Sequence, residues 1–211
     1  MMSLESSDKA YKQTAFIVDD DPSVCEALCD LIDSAGLCTQ HFSSAEAFLE
    51  AWAPDMAGCL VLDVRLPGIS GIELQGILAE TGFSIPIIIM TAHGDVPMVR
   101  KTMKAGAVEF LTKPFQDDDL LQAIEQAFAR DRALRTTKTL ENSILARLGT
   151  LSPRERQVMD LVTAGMTNKE IADILDLRIV TVKLYRGQVM EKMQAKSLAD
   201  LVKMSERIKM T

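Results

Sequence analysis

The sequence predicts an α/β domain with a five-stranded parallel sheet, followed by a smaller domain made only of helices. Three observations support this prediction. Short apolar runs alternate with helical stripes over residues 1–130, and after residue 150 the pattern changes to closely spaced helix starts without a strand signal. The charge also divides: residues 1–130 hold 8 Lys and Arg against 20 Asp and Glu, and residues 131–211 hold 15 against 10. An acidic module therefore precedes a basic one, and a basic module is a hint of nucleic-acid binding.

The five apolar runs are too short for helices and are mostly bounded by polar residues or Gly, which is typical of strands. In chain order they are AFIV (15–18), LCTQHF (37–42), CLVL (59–62), PIIIM (86–90) and VEFL (108–111). Five helical stripes follow them in turn, and the fourth is predicted to place Val99, Met103 and Ala107 in the core. This alternation implies right-handed crossovers and a sheet covered on both faces, with the flavodoxin-like strand order 2-1-3-4-5.

The second module is predicted from helix starts. Residues 131–150 lack Pro and have one Gly near their end, so we expect a semi-rigid helical linker there. Two capping boxes follow, SPRE from Ser152 and TNKE from Thr167, and SLAD from Ser197 is a weaker version. Helices of about 168–175 and 179–192, joined by a three-residue turn, fit a helix-turn-helix within four short helices. The predicted domains are therefore 1–130, 131–150 and 151–211.

The chain is expected in the cytoplasm. Its N-terminus lacks a basic start followed by an apolar stretch, and no apolar run approaches the roughly 18 residues that a membrane span needs. The four cysteines, Cys25, Cys29, Cys38 and Cys59, are expected to be reduced thiols. A zinc site made by Cys25, Cys29, Cys38 and His41 is the less favoured alternative, because these cysteines fit buried positions of a helix and a strand.

Acidic residues follow two of the predicted strands. Asp19, Asp20 and Asp21 follow the first strand and Asp63 follows the third, and in the order 2-1-3-4-5 these strands flank the point where the winding reverses. Carboxylates that converge there form an all-oxygen site, which suits Mg²⁺ or Mn²⁺. Asp21, beside Pro22, is better explained as a helix cap. Helix capping does not account for Asp63.

Two further strand ends contribute to the same edge of the sheet. The fourth strand leads to Thr91 and the fifth to Lys113. A hydroxyl, a cation, a metal site and a carboxylate together favour phosphoryl transfer, with an Asp as the nucleophile.

These motifs resemble the receiver domain of bacterial two-component response regulators. The resemblance covers about residues 12–130 and rests on VDDD, LDVRLPGISG, TAHGD and KPF. It implies that Asp63 is the phosphoacceptor, that Asp19 and Asp20 bind the metal together with Asp63, and that Arg65 offers its backbone carbonyl. It also implies a cis peptide bond before Pro114. The residues implied to bind the phosphoryl group or to switch with it are Thr91, Ala92, Phe110 and Lys113.

The stretch from LSPRERQVMDL to VMEKM is similar to LuxR-type (GerE) DNA-binding domains over most of residues 148–211. With the receiver, the whole chain resembles the FixJ subgroup, which includes regulators of aromatic-hydrocarbon catabolism. The resemblance places Lys183, Leu184 and Gly187 at base-reading positions. The residues favoured for DNA phosphate contacts are Thr167, Asn168, Lys169, Thr181 and Arg186. Arg178 departs from the pattern, because a capping Ser is common there.

The predicted function is a phosphorylation-dependent transcription factor and not a turnover enzyme. The implied partners are a sensor histidine kinase, double-stranded operator DNA and a second copy of the chain after phosphorylation. RNA polymerase is a further candidate partner, and no membrane partner is expected. One alternative is a haloacid-dehalogenase-like phosphohydrolase, which needs a second acid where this chain has Arg65. Another is a receiver-like module that acts independently of phosphate.

Overall fold

The computed structural model describes residues 12–54, 56–92, 94 and 96–209. The N-terminal residues 1–11, on which the expectation of a cytoplasmic chain partly rests, lie outside the described residues. The same is true of His93 and Asp95 of the TAHGD motif. The chain divides into two compact units, one up to Leu134 and one from Arg135. No helix in the described part of the chain has the length and apolar character needed to cross a membrane.

The first unit is built on a five-stranded parallel sheet in the order β2-β1-β3-β4-β5, so the predicted fold class and strand order are confirmed. The strands are β1 Thr14–Val18, β2 Cys38–Phe42, β3 Gly58–Asp63, β4 Ile87–Thr91 and β5 Glu109–Thr112. In the register of the sheet, Val18 pairs with Leu62, Asp63 with Met90, and Thr91 with Thr112. The carboxyl ends of four strands therefore lie along one edge.

Helices cover both faces of this sheet. They are α1 Pro22–Ser34, α2 Ala45–Ala51, α3 Gly71–Glu80, α4 Val96–Lys104 and α5 Asp117–Gly149. Alternate strand residues enter different cores: Ile17 packs with side chains of α1 and α5, whereas Phe16 packs with side chains of α2 and α3. This separation follows from the two-residue period of a strand.

Two expectations about burial are wrong. On α4 the core position is Thr102, which is fully buried, while Met103 is 40% exposed. The hydroxyl of Thr102 donates to the carbonyls of Met98 and Val99, so its polar group is satisfied within the helix. Cys38 is only half-buried, because β2 is an edge strand.

The second unit is all-helical, as predicted. After the last turns of α5 come α6 Pro153–Thr163, α7 Asn168–Leu175, α8 Ile179–Met193 and α9 Leu198–Lys209. Ile144 and Leu148 of α5 are buried in the same core as Val182 and Val189 of α8. The end of the predicted linker therefore packs within this unit.

The predicted helix starts of the second unit are largely confirmed. Ser152 with Glu155 and Thr167 with Glu170 form complete capping boxes. At α9, the Ser197 hydroxyl accepts from the Asp200 backbone N–H, but the Asp200 carboxylate accepts from the N–H of residue 196, so this box is incomplete.

Candidate functional site

The carboxyl edge of the sheet brings together three of the predicted site residues. Asp19 follows β1, Asp63 ends β3, and Lys113 follows β5. The Lys113 ammonium donates to Asp19 Oδ2 at 2.7 Å and to Asp63 Oδ1 at 2.8 Å. One cation therefore joins two carboxylates that are far apart in sequence.

The surroundings of the Lys113 ammonium favour its protonated, charged form. Asp19 and Asp63 are 3% and 7% exposed, so they have little access to water. Each also accepts a backbone N–H: Asp19 Oδ1 from Asp21 at 3.0 Å, and Asp63 Oδ2 from Arg65 at 2.6 Å. Burial lowers the pKa of Lys113, but the hydrogen bonds to the two carboxylates outweigh burial and raise that pKa. Lys113 thus stays protonated and offsets the carboxylate charges.

The three successive acids have different surroundings. Asp21 is the N-cap of α1, where its carboxylate accepts from the Ser23 N–H at 2.9 Å and Pro22 is the first helical residue. The prediction that Asp21 caps this helix is confirmed. Asp19 is buried in the Lys113 group, whereas Asp20 is exposed to solvent at the same edge.

The donor chemistry of this edge fits a magnesium ion. Within the described ranges, no three His, Cys, Asp or Glu side chains are arranged as a metal-binding group, and all four cysteines are free thiols. Mg²⁺, however, typically takes one or two carboxylates and completes its octahedron with water and phosphate oxygens. Asp19 and Asp63 supply two such carboxylates at one edge, so they would hold the ion.

The loop after Asp63 is fixed by residues that the sequence did not identify. The Gly71 N–H donates to the Val64 carbonyl at 3.1 Å, and a Cβ at Gly71 would lie 2.1 Å from the Asp63 carbonyl oxygen. Glu46 Oε1 accepts from the Ile69 N–H at 3.1 Å. The final glycine of GISG could have indicated the close approach of Gly71 to the Asp63 carbonyl. The hydrogen bond to Glu46 could not be predicted, because Glu46 and Ile69 are 23 residues apart.

The predicted switch residues lie around the same edge. Thr91 is 1% exposed at the end of β4, and Ala92 is exposed. Phe110 is half-buried, and a Cβ at Gly94 would lie 2.7 Å from its Cε1, so the ring rests on the segment after β4. The Lys113–Pro114 peptide is cis, as expected.

The helix-turn-helix predicted in the second unit is present. Asp176 ends α7 in the left-handed region at φ +53°, and α8 begins at Ile179 with Arg178 as an N-cap whose side chain makes no capping hydrogen bond. The predicted base readers Lys183, Leu184 and Gly187 are exposed on α8.

The predicted phosphate-contacting residues lie near the start of α7 and on α8. Thr167 and Lys169 are exposed, and Thr181 is half-buried. Arg186 and Asn168 are half-buried and bind each other, with 2.6 Å between Arg186 Nη1 and Asn168 Oδ1. This hydrogen bond joins the two helices of the motif.

An ion pair between a buried glutamate and a partly exposed lysine of the second unit was missed. Lys192, at the end of α8, donates to Glu155 Oε2 at 2.7 Å, and the Glu155 side chain is 3% exposed. Lys192 Nζ also lies 3.4 Å from the Thr150 carbonyl oxygen. These contacts attach the end of α8 to the start of α6 and so help to position α8.

Comparison with known protein families assigns both units. The response regulator receiver domain matches residues 15–125, and the LuxR family of bacterial regulatory proteins matches residues 149–205. The chain is a response regulator. It thus joins a receiver to a LuxR-type DNA-binding domain, as the resemblance implied.

Relatives of this response regulator match over most of its length. Nodulation protein W of Bradyrhizobium diazoefficiens is 48% identical over 96% of this chain and 89% of its own length. The transcriptional regulatory protein FixJ of the same species is 45% identical over 91% of this chain and 94% of its own length. The solved structure of the response regulator StyR has a TM-score of 0.83 and 46% identity, and the match covers 93% of this chain and 99% of that one.

Proposed function

We propose that Asp63 of this response regulator accepts a phosphoryl group from a phosphohistidine of a sensor histidine kinase, and that this modification controls DNA binding and transcription. The observation that carries the proposal is the Lys113 ammonium shared by Asp19 and Asp63 at 2.7 and 2.8 Å. It supplies a nucleophilic carboxylate and a fixed positive charge at one sheet edge. The proposed setting is the cytoplasm, with a receiver at 1–130, a linker at 131–150 and a DNA-binding domain at 151–211.

The proposed reaction is a transfer to a carboxylate oxygen. An Asp63 oxygen attacks phosphorus, the P–N bond of the phosphohistidine breaks, and its electron pair returns to the imidazole nitrogen. The product is an acyl phosphate. Lys113 offsets charge on the phosphoryl oxygens, and the Arg65 N–H orients the Asp63 carboxylate. A Mg²⁺ ion held by Asp19 and Asp63, with Asp20 and the Arg65 carbonyl as predicted further ligands, would stabilise the same oxygens.

The proposed response involves the other residues of the edge. The Thr91 hydroxyl and the Ala92 N–H bind the phosphoryl group, and the Phe110 ring moves inward from its position against Gly94. Movement there changes the face made by α4, β5 and α5, and a second copy of the chain then binds this face. Dimerisation brings two DNA-binding domains to a two-fold operator.

The proposed DNA contacts lie on the helix-turn-helix. Lys183, Leu184 and Gly187 face the bases from the exposed side of α8. The proposed phosphate contacts, which fix position without reading sequence, are made by Thr167, Asn168, Lys169, Thr181 and Arg186. RNA polymerase is the candidate partner through which the bound dimer acts on transcription.

A labelling assay tests the phosphoacceptor. The full chain is incubated with acetyl phosphate, with Mg²⁺ or with a chelator, and phosphoryl addition is read by intact mass. We expect addition to the wild type in Mg²⁺ only, and none to Asp63→Asn. Asp30→Asn, which changes an exposed carboxylate of α1, is the matched control and should label normally.

Three outcomes would contradict the proposal. Equal labelling of Asp63→Asn would place the phosphoryl group elsewhere. Absence of labelling in Mg²⁺ would favour a phosphate-independent receiver. Steady release of phosphate from small phosphomonoesters would favour the phosphohydrolase alternative.

A further inference from the structure

Three large apolar side chains of α8 are exposed, and Val180 and Leu184 are more exposed than the first residue of the helix, Ile179. Val180 is 76% exposed and Leu184 is 60% exposed, the largest values among the large apolar side chains described in the second unit. By contrast Val182, Val189 and Met193 of the same helix are at most 1% exposed. Packing within the second unit therefore accounts for the apolar character of Val182, Val189 and Met193. It does not account for apolar side chains at positions 180 and 184.

Val180 and Leu184 lie on one open face. They are four residues apart, so their side chains are neighbours one turn apart on the helix. Lys183, also exposed, lies beside them. One turn further, Gly187 leaves the surface clear, because a Cβ there would have no atom within 4 Å. The face thus combines two apolar groups with one cation and has room for a partner to approach.

We propose that Val180 and Leu184 recognise the C5-methyl groups of two thymines in the DNA major groove. This inference rests on the proposed function, in which α8 enters that groove. Valine and leucine side chains neither donate nor accept hydrogen bonds, and the thymine methyl is the apolar group that base edges present in the major groove. Val180 is β-branched, so it loses little rotamer freedom in forming such a contact.

The spacing of the two side chains predicts the spacing of the two thymines. Four residues of α-helix rise about 6 Å. Successive base pairs of B-DNA are about 3.4 Å apart. A recognition helix lies along the groove and not along the DNA axis, so that residues about three positions apart contact successive bases. Helix α8 would therefore place the two methyl contacts about one to two base pairs apart, with Lys183 beside them to reach a guanine N7 or O6.

Uracil substitution tests this inference. The full chain, phosphorylated with acetyl phosphate, selects a preferred duplex from a random pool, and each thymine of that duplex is then replaced by uracil. Uracil keeps the hydrogen-bonding groups of thymine and lacks only the methyl group. We expect two positions, about one to two base pairs apart, at which uracil weakens binding by about fourfold each.

Substitutions in the protein assign each position. Val180→Ser should remove the uracil effect at one position and Leu184→Gln at the other, and neither change disturbs the core, because both side chains are exposed. Ile174→Ser on α7 alters a side chain that is 56% exposed and should preserve both effects. Equal affinity for thymine and uracil at every position would overturn the inference alone, as would uracil effects that persist in both α8 variants. A wild-type chain that selects no duplex would overturn the proposed function and this inference with it.

Discussion

The capping boxes of α6 and α7 have the same sequence pattern and different surroundings. In each box the glutamate accepts from the N-cap backbone N–H at 2.7 Å, from Ser152 to Glu155 and from Thr167 to Glu170. Glu155 is buried and also binds Lys192, whereas Glu170 is exposed. Glu155→Ala and Glu170→Ala are therefore a matched pair that separates the ion pair from the cap.

The expected difference between the two variants follows from these contacts. Each variant keeps its N-cap residue and loses the hydrogen bond from the N-cap backbone N–H to the glutamate, so this loss largely cancels between the two. Removing one partner of a fully buried ion pair costs about 3–5 kcal/mol. The Lys192 side chain is 40% exposed and regains water, so we take about 1.5–2 kcal/mol for this pair. Glu155→Ala should thus destabilise the second unit by about 1.5–2 kcal/mol more than Glu170→Ala does. The helix propensity gained with alanine cancels between them.

Hydrogen exchange of the α8 amides measures the opening free energy of the second unit. Fluorescence of Trp52, the single tryptophan of the chain, reports the first unit during urea unfolding. We expect faster α8 exchange in Glu155→Ala than in Glu170→Ala and an unchanged Trp52 midpoint in both. Equal exchange in the two variants would refute the role given to the ion pair.

Two further predictions concern stability. A Cβ at Gly58 would lie 1.8 Å from the Thr14 carbonyl oxygen and φ there is +144°, so we expect Gly58→Ala to lower the urea midpoint reported by Trp52. The expected destabilisation is about 3 kcal/mol, and the control Gly76→Ala, in an uncrowded helical position, should stabilise by about 0.5–1 kcal/mol. In the second unit, the hydrogen bond from Lys192 lowers the pKa of Glu155. The ion pair therefore contributes fully to the free energy of unfolding above about pH 4.3, which is the usual pKa of Glu in an unfolded chain. This contribution is lost as the pH falls through the pKa of Glu155 in the folded state. Glu155→Gln should flatten this acid dependence in α8 exchange, and an unchanged acid profile would contradict the assignment.

Much of the sheet and of its functional edge could be predicted from sequence, because each relevant residue follows directly on a strand. Short apolar runs locate the strands, and parallel topology brings their carboxyl ends together. Asp19, Asp63 and Lys113 could therefore be grouped before any distance was known. The helix starts were also predictable, because capping residues act on backbone groups only a few positions away.

Contacts between residues distant in sequence could not be predicted in this way. Glu155 and Lys192 are 37 residues apart, and nothing local in either helix indicates the other. Met103 was predicted to lie in the core in place of Thr102, because an apolar pattern favours methionine and does not register a hydroxyl bonded within its own helix. The sharing of one ammonium by two carboxylates likewise depends on side-chain geometry.

The proposed function requires that phosphorylation of Asp63 controls DNA binding. The most direct measurement is the affinity of the full chain for its selected duplex, with and without acetyl phosphate and Mg²⁺, in the wild type and in Asp63→Asn. We predict that phosphodonor strengthens binding by the wild type and has no effect on Asp63→Asn. An equal gain in both proteins would show that Asp63 does not control DNA binding.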